Sequence, residues 1–306
     1  MAKGIGFGKV ILFNEHFVVY GIPAIASAIG MKTVAEVKAF DGEGIDLNDR
    51  RKETPGYKKE KLEQQKDSLK RMLNAMGIDS SKKKINITLS GDLIASSGIG
   101  ASAASCVAIA RALSNCFSLN LSDDRINDIA YEGEKGYHGS PSGIDNTVAT
   151  YGGLVWFKKG EKMERLKLKK QVEIVMGNTG IVADTSKAVA DVRSRKEKDP
   201  DKYKKLFSSA EELVYNARKE IGAFDLVSVG NLMDENHKLL QEIEVSCKEL
   251  DFLVNLAREN GALGAKLTGT GLGGNMLALT PGKKLQEKVA KAIEKEGFKA
   301  LRTKIG

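Results

Sequence analysis

The 306-residue chain is long enough for two domains, and its 42% hydrophobic and 29% charged residues are typical of a soluble protein. It has no apolar run of the roughly 20 residues that a membrane span needs, no signal-peptide pattern, and three cysteines without metal-ligand spacing, so we expect a cytosolic protein. The net charge of +8 comes from lysines that are not interleaved with aromatic residues. We interpret this charge as a solvated surface and expect neither a membrane nor a nucleic acid as a partner.

The N-terminal part of the sequence predicts strands, an amphipathic helix and a buried helix. The predicted strands span residues 4–13, 24–29, 33–39 and 85–90. A charged, proline-containing segment predicts a loop over 49–59. The apolar positions between Leu62 and Met76 share one helical face, which Gly77 can end. A long apolar segment, 103–117, predicts a buried helix.

The C-terminal part predicts mainly helices. The apolar stripes that predict them span residues 206–221, 250–257 and 285–293, and the expected strands span 154–157, 172–176 and 276–279. A glycine-rich loop is predicted over 264–274. The change in pattern indicates a domain boundary between residues 178 and 184, which gives an N-terminal domain, 1–180, and a C-terminal domain, 181–306.

The segment from Gly98 to Ser105 lies between a predicted strand and a predicted helix and has the pattern of a phosphate site. Glycines at the start of a helix let a bulky anion approach the backbone, and the free N–H groups of the first turn point at that anion. Ser102 then lies where its hydroxyl can bind a magnesium ion that phosphates also hold. This combination favours a nucleoside triphosphate site and a phosphoryl-transfer enzyme.

Two other phosphate motifs fit less well. A Walker A loop would have to end at Gly8-Lys9, where the first glycine and the final hydroxyl residue of that motif are missing. The dinucleotide fingerprint matches the spacing of Gly98, Gly100 and Ala103, but it requires a next strand that ends in an acidic residue. Here the buried helix is followed by a second helix that starts at Ser122. We therefore favour the triphosphate interpretation.

Three segments of the chain, in this order, resemble the signature motifs of the GHMP small-molecule kinases. They span residues 8–21, 98–105 and 266–274. Within that superfamily, the first segment and residues 138–146 look most like mevalonate kinases. The resemblance implies an α+β fold of two domains, a ribosomal-protein-like N-terminal domain and a ferredoxin-like C-terminal domain, with the ligands in the cleft between them. It also implies that ATP and Mg²⁺ are used to phosphorylate the primary hydroxyl of mevalonate, an early step of isoprenoid biosynthesis.

The resemblance implies a role for each matched residue. Asp145 matches the catalytic aspartate, and Lys9 matches a lysine that keeps it ionised and stabilises the transferred phosphoryl group. Ser102 and Glu134 match the magnesium ligands. The residues implied to bind ATP are Ser97, Gly98, Ile99, Gly100, Ala101, Ser102, Gly271 and Gly273. The residues implied to hold the acid substrate are Lys9, His16 and Thr185.

The residues taken by themselves leave simpler alternatives open. Glu134 fits a solvated carboxylate on a helix, and Asp145 fits a helix N-cap. Arg193 and Arg195 follow Thr185 on a predicted helix, but they lie more than two turns further along it. We interpret both arginines as surface residues rather than as part of an acceptor pocket.

The sequence also departs from the family pattern. Asn14 stands where the family usually has glycine, and Thr270 and Leu272 stand where the third motif usually runs through more glycines. Asparagine tolerates a left-handed backbone, so Asn14 is compatible with the turn. Leu272 is less compatible with a loop that packs against a nucleotide.

Several functions remain as alternatives at this point. Another kinase of the superfamily, such as a phosphomevalonate or homoserine kinase, has similar motifs. A different class of function is a nucleic-acid-binding protein that uses the basic surface. Salt-sensitive binding of oligonucleotides without turnover of ATP would indicate that function. The adenine contacts fall in the weakly patterned region between residues 41 and 90. The oligomeric state is open, with a homodimer among the alternatives.

Overall fold

A computed structural model describes residues 1–95 and 98–306, with only the backbone of Ser186. Within these residues the chain forms ten strands, ten α-helices and a 3-10 helix, Phe17–Tyr20. The strands are β1 (Ala2–Phe13), β2 (Ala24–Asp41), β3 (Ile45–Asp49), β4 (Lys83–Gly91), β5 (Leu154–Phe157), β6 (Glu164–Leu166), β7 (Val172–Asn178), β8 (Gly264–Thr268), β9 (Asn275–Leu279) and β10 (Lys299–Ile305). The helices are α1 (Tyr57–Glu60), α2 (Leu62–Met76), α3 (Ala101–Cys116), α4 (Asp123–His138), α5 (Ile144–Tyr151), α6 (Thr185–Lys198), α7 (Pro200–Ala223), α8 (Leu226–Glu242), α9 (Lys248–Glu259) and α10 (Lys283–Lys295).

The chain forms two compact units. Unit 1 comprises Met1–Lys9 and Ala28–Gly152, and unit 2 comprises Val10–Ser27 and Gly153–Gly306. Strands β1 and β2 each contribute residues to both units. The division into domains at residues 180 and 181 stays a prediction.

In unit 1, strand β4 lies between two partner strands. It pairs antiparallel with β2, from Thr33 opposite Gly91 onward, and parallel with β3. Helix α3 is rich in alanine and buried along most of its length, because small side chains let other backbones approach it closely. A Cβ atom at Gly6 of β1 would lie 2.1 Å from the carbonyl oxygen of Ala104, so only glycine fits that contact. The strand that leads to Lys9 is thereby fixed against the helix that follows the glycine loop.

Unit 2 contains an antiparallel sheet. Strand β7 pairs with β10 on one side and with β9 on the other, and β9 pairs with β8. Strand β5 pairs with β6 and with the first residues of β2, Ala24–Ser27. The apolar faces of α7, α9 and α10 contribute Leu206, Leu253 and Ile293 to one buried cluster with the sheet.

The elements with strong periodicity are those that the sequence predicted. Helix α2 ends at Gly77, whose φ of 67° is left-handed, as its pattern indicated. The predicted strands 24–29 and 33–39 form a single strand, β2 (Ala24–Asp41). The predicted glycine-rich loop was wrong over Gly264–Thr268, which is β8. None of the helices in residues 1–95 and 98–306 is long and apolar enough to cross a membrane. The cytosolic location stays a prediction.

Asn14 adopts a left-handed backbone, with a φ of 70°, and is fully buried in unit 2. Its Nδ2 donates to the carbonyl oxygens of Pro23, at 2.8 Å, and Ala210, at 2.9 Å. Its backbone N–H donates to Oδ1 of Asn236, and Nδ2 of Asn236 donates back to Oδ1 of Asn14, both at 3.2 Å. Asparagine therefore replaces the glycine of the family pattern without leaving its own polar atoms unpaired.

We expect Asn14→Ala to lower the melting temperature more than Asn14→Gly does. Both variants lose the side-chain hydrogen bonds, but only alanine also has to adopt the left-handed backbone, which costs a residue with a Cβ about 1–2 kcal/mol. Thermal unfolding of both variants beside the parent chain measures this difference. Equal melting temperatures would show that the backbone conformation at this position is not strained.

Candidate active site

The glycine loop of unit 1 is fixed directly to the end of β1. The backbone N–H of Lys9 donates to the carbonyl oxygen of Ile99 at 2.9 Å. Gly98 and Gly100 have φ values of 81° and 71°, and a Cβ at Gly100 would lie 2.7 Å from Cγ of Lys9. Because α3 begins at Ala101, the N–H groups of its first turn follow the loop and form an anion-binding helix terminus. Ser97 lies outside the described residues.

Lys9 and Asp145 form an ion pair within unit 1. The Lys9 Nζ lies 2.8 Å from Oδ1 of Asp145, and the side chains are 6% and 32% exposed, respectively. Gly143 is the N-cap of α5 and Asp145 is the second residue of the helix, so the N-cap alternative was wrong. A buried lysine thus holds a carboxylate that remains accessible from one side.

Glu134 is a buried carboxylate on α4, so its interpretation as a solvated residue was wrong. Burial and the charge of Asp145 raise the pKa of Glu134 to about 8, while a hydrogen bond with the Ser102 side chain and the charge of Lys9 lower it. A buried carboxylate near a second carboxylate suits an added cation, and a hydroxyl beside it supplies a second hard oxygen ligand.

The fit to Mg²⁺ is therefore good for two protein ligands. In residues 1–95 and 98–306 there is no cluster of three or more His, Cys, Asp or Glu side chains that would enclose a metal ion completely. Magnesium commonly takes one or two carboxylates and completes its shell with water and substrate phosphates. Ser102 and Glu134 match this arrangement, in which the protein supplies only part of the ligand shell.

A cavity opens beside the first turn of α3 in unit 1, and sequence reasoning identified Ala101 and Ser102 of its lining but not the residues that precede α3. Arg51, Tyr57 and Lys58 line it together with Ser102. Arg51 is itself buried, pairs with Asp49 through two nitrogen–oxygen contacts at 2.7 and 3.0 Å, and donates to the carbonyl oxygen of Ala101. These residues come from a segment without a clear periodic pattern, so the only signal was its mixture of arginine, lysine and tyrosine.

His16 lies at the centre of a tight turn in unit 2. Its φ of 62° and ψ of −49°, with a 2.7 Å hydrogen bond from the N–H of Phe17 to the carbonyl of Glu15, define a γ-turn of the rare, strained type. Its Nε2 lies 2.7 Å from the carbonyl oxygen of Thr270. Because a carbonyl only accepts, Nε2 carries the proton and Nδ1 has the free lone pair. Nδ1 is buried and has no partner in the part of the chain that the structure describes.

Burial lowers the pKa of His16, and the charges of Arg195 and Lys266 lower it further. The side chain is therefore a neutral hydrogen-bond acceptor at Nδ1. An acceptor of this kind suits a hydroxyl group, whereas a carboxylate would require a donor or a positive charge.

Thr185 and Thr270 share a hydrogen bond in unit 2, with 2.6 Å between their hydroxyl oxygens. Thr185 is the first residue of α6, and Thr270 belongs to the loop between β8 and β9. Leu272 in the same loop has a φ of 54°, and its N–H donates to the carbonyl oxygen of Val245. This loop therefore packs on Val245 with leucine in a conformation that usually favours glycine.

The other predicted positions in this loop are restricted in space. A Cβ at Gly271 would lie 2.0 Å from the carbonyl oxygen of Val245, and one at Gly273 would lie 2.8 Å from Cγ2 of Ile181. Both glycines are thus required by contacts within unit 2, whatever ligand they bind.

The two arginines that follow Thr185 differ in their surroundings. Arg193 is exposed and pairs with Glu197, as the surface interpretation predicted. Arg195 is less exposed than that interpretation predicted, with 26% of its side chain accessible. Its NH2 donates at 2.8 Å to the carbonyl oxygen of Ile243, and its charge acts on His16.

Two family profiles match the chain. The GHMP kinases N terminal domain matches residues 65–153, and GHMP kinases C terminal matches residues 217–300. The mevalonate kinase of Pyrococcus horikoshii is 37% identical over 316 residues, which cover 97% of this chain and 93% of that protein. The mevalonate kinase of Arabidopsis thaliana is 28% identical over 367 residues, which cover 98% and 96%.

Solved structures agree with these matches. The crystal structure of L. major mevalonate kinase in complex with R-mevalonate has a TM-score of 0.94 and 38% identity, over 100% of this chain and 96% of that one. The Methanococcus jannaschii mevalonate kinase has a TM-score of 0.83 and 25% identity, over 99% and 98%. The chain therefore belongs to the GHMP kinases, and these relatives within the family are mevalonate kinases. The predicted α+β kinase fold is confirmed.

At neutral pH we expect His16 to be uncharged, with its proton on Nε2. Nitrogen–proton correlation spectra of the histidine rings, assigned with a His16→Gln variant, report both the tautomer and the pKa. Ligand hydroxyl binding at Nδ1 should weaken as the pH falls through this lowered pKa, because protonated Nδ1 cannot accept. A ring that titrates at or above the ordinary value of 6.5, or that carries its proton on Nδ1, would contradict this assignment.

Proposed function

We propose that this chain transfers the γ-phosphoryl group of ATP to the primary hydroxyl of mevalonate, a step of isoprenoid biosynthesis. The observation that carries the proposal is the Lys9–Asp145 ion pair, which lies in the same unit as a glycine loop and a helix terminus suited to phosphates. The substrate is inferred from the P. horikoshii and A. thaliana relatives, both named mevalonate kinases, and from the L. major structure, which contains R-mevalonate.

In this mechanism Asp145 accepts the proton of the attacking hydroxyl, or orients that hydroxyl for in-line attack. Its partly exposed carboxylate leaves one side open for the substrate, while the other side pairs with Lys9. The lysine charge also stabilises the negative charge of the phosphoryl group during transfer. Phosphoryl transfer depends mainly on such positioning and charge stabilisation, and these two side chains contribute to both.

The phosphates of ATP would lie on the backbone from Gly98 to Ser102, where the positive end of α3 favours negative charge. The cavity beside this turn would receive the nucleoside, with Tyr57 and Arg51 offering a ring and a planar cation for stacking on a base. Gly271 and Gly273 remain further candidates for ATP contacts. We extend the ATP site to Ser97 from the resemblance alone.

Ser102 and Glu134 would hold a magnesium ion, which when bound neutralises charge on the β- and γ-phosphates. In unit 2, Nδ1 of His16 would accept a hydrogen bond from a substrate hydroxyl, and Thr185 would contact the substrate through its own hydroxyl. Lys9 contributes a positive charge for the acid substrate.

An ADP-release assay with mevalonate, phosphomevalonate, homoserine and galactose tests the proposal. We expect the kcat/KM for mevalonate to exceed the others by far. Asp145→Asn serves as the matched control, because loss of a positioned base should lower kcat at least about a hundredfold while ATP still binds. Preferred use of another acceptor would contradict the substrate, and an Asp145→Asn variant with nearly normal kcat would contradict the mechanism.

Ser102→Ala and Glu134→Gln should each raise the magnesium concentration needed for half-maximal rate, because each removes an oxygen ligand. The double variant should show less than the combined effect of the two, since both side chains act through one ion. Rates measured against magnesium at fixed ATP check this expectation. Unchanged magnesium dependence in both single variants would remove these residues from the metal site.

A further inference from the structure

Unit 2 buries a complete ion pair next to the turn at His16. The Nζ of Lys266 lies 2.5 and 2.6 Å from the two carboxylate oxygens of Glu15, and it also donates to the carbonyl oxygen of Leu267 at 2.7 Å. The side chains are 0% and 1% exposed. Placing two charges out of water has a high desolvation cost, which a well-packed apolar pair would avoid. The proposed chemistry uses neither residue directly.

The backbone around Glu15 is unusual. Asn14 before it and His16 after it both have positive φ values, of 70° and 62°. The carbonyl of Glu15 itself accepts the hydrogen bond that closes the γ-turn at His16. Strained backbone of this kind persists only where the surroundings fix it, and such positions cluster at functional sites.

Lys266 connects this turn to the loop that contacts His16. It lies on β8, which leads into the loop containing Thr270, the hydrogen-bond partner of His16. The Glu15–Lys266 pair therefore joins the residue before His16 to the strand before Thr270. Together, the ion pair and the His16–Thr270 hydrogen bond close a ring of contacts within unit 2.

Helix α8 fixes both sides of the ring. Asn236 exchanges hydrogen bonds with Asn14, and Nδ1 of the adjacent His237 accepts from the N–H of Leu267 at 3.3 Å. Glu15 and Lys266 thus lie between two backbone segments that are held independently. The ion pair adds a direct connection between these segments, because the Lys266 amine contacts both carboxylate oxygens of Glu15.

We propose that Glu15 and Lys266 are positioning residues for the acceptor substrate: their ion pair holds the strained turn that directs Nδ1 of His16 toward a substrate hydroxyl. This inference rests on the proposed function for the identity of the substrate. It predicts that loss of the pair weakens use of the acceptor while the use of ATP is retained.

The main test is the double variant Glu15→Gln/Lys266→Met, because removal of both buried charges is often neutral or even stabilising. We expect its melting temperature to stay close to that of the parent chain. Its KM for mevalonate should rise about tenfold or more, since small displacements of a binding group can cost up to about a hundredfold. Its KM for ATP should stay within about twofold. Glu15→Asp keeps the charge and shortens the side chain, so we expect a smaller effect in the same direction.

Arg258→Gln is the matched control. Arg258 lies on α9, pairs with Asp234 of α8 at 2.7 Å and donates to the carbonyl oxygen of Ala265 on β8 at 2.7 Å. It therefore holds β8 through a charged side chain whose two partners here lie outside the turn at His16. We expect this variant to leave the KM for mevalonate unchanged. A rise equal to that of the double variant would show that any loosening of β8 has the effect, and it would overturn the proposal.

Ring nitrogen spectra of His16 supply a readout that does not depend on activity. The double variant should shift the His16 signals, and Arg258→Gln should not. If the parent chain does not phosphorylate mevalonate, the proposed function fails, while the spectra still test the positioning of His16. A folded double variant with the parental KM for mevalonate and unshifted His16 signals would overturn the inference. If the double variant does not fold, the same two measurements are made on Glu15→Asp, and parental values there would overturn the inference.

Discussion

Each unit of this protein buries a lysine amine against a carboxylate, and the candidate site depends on how each charge is compensated. Lys9 reaches Asp145 from the end of β1, and Lys266 reaches Glu15 from β8. An unpaired amine in either place would be strongly destabilising, so both backbones are constrained to bring a carboxylate to it. The neighbouring glycine loop and γ-turn lie directly beside these constrained positions.

The two pairs differ in the exposure of the carboxylate, and this difference separates two tasks. Asp145 keeps about a third of its side chain exposed, so its free oxygen can meet a ligand. Glu15 is enclosed and has no such access, which suits a group that fixes geometry. Glu134 is a third case, since burial and the charge of Asp145 raise its pKa, and both disfavour an isolated negative charge there. A metal ion bound with the nucleotide would supply a compensating positive charge.

Asn14 and Leu272, two positions where the sequence departs from the motifs that it resembles, both have a left-handed backbone. At Asn14, side-chain hydrogen bonds to surrounding carbonyls and to Asn236 compensate for the unfavourable backbone. Leu272 adopts the same region while its N–H pairs with Val245. At both positions hydrogen bonds within unit 2 hold the left-handed turn, so the residue that is present fits its backbone.

The sequence by itself determined the helices with strong periodicity, the glycine loop before α3 and the family of the chain, because periodicity and short motifs depend on neighbouring residues. It also indicated Asp145 and Lys9 through their motifs. Only the tertiary structure decided that Glu134 is buried, that Arg195 turns inward and that Lys266 meets Glu15. Burial and pairing of this kind join residues that are 251 positions apart, as in the last case. No local pattern records such a contact, since it results from packing of the whole unit.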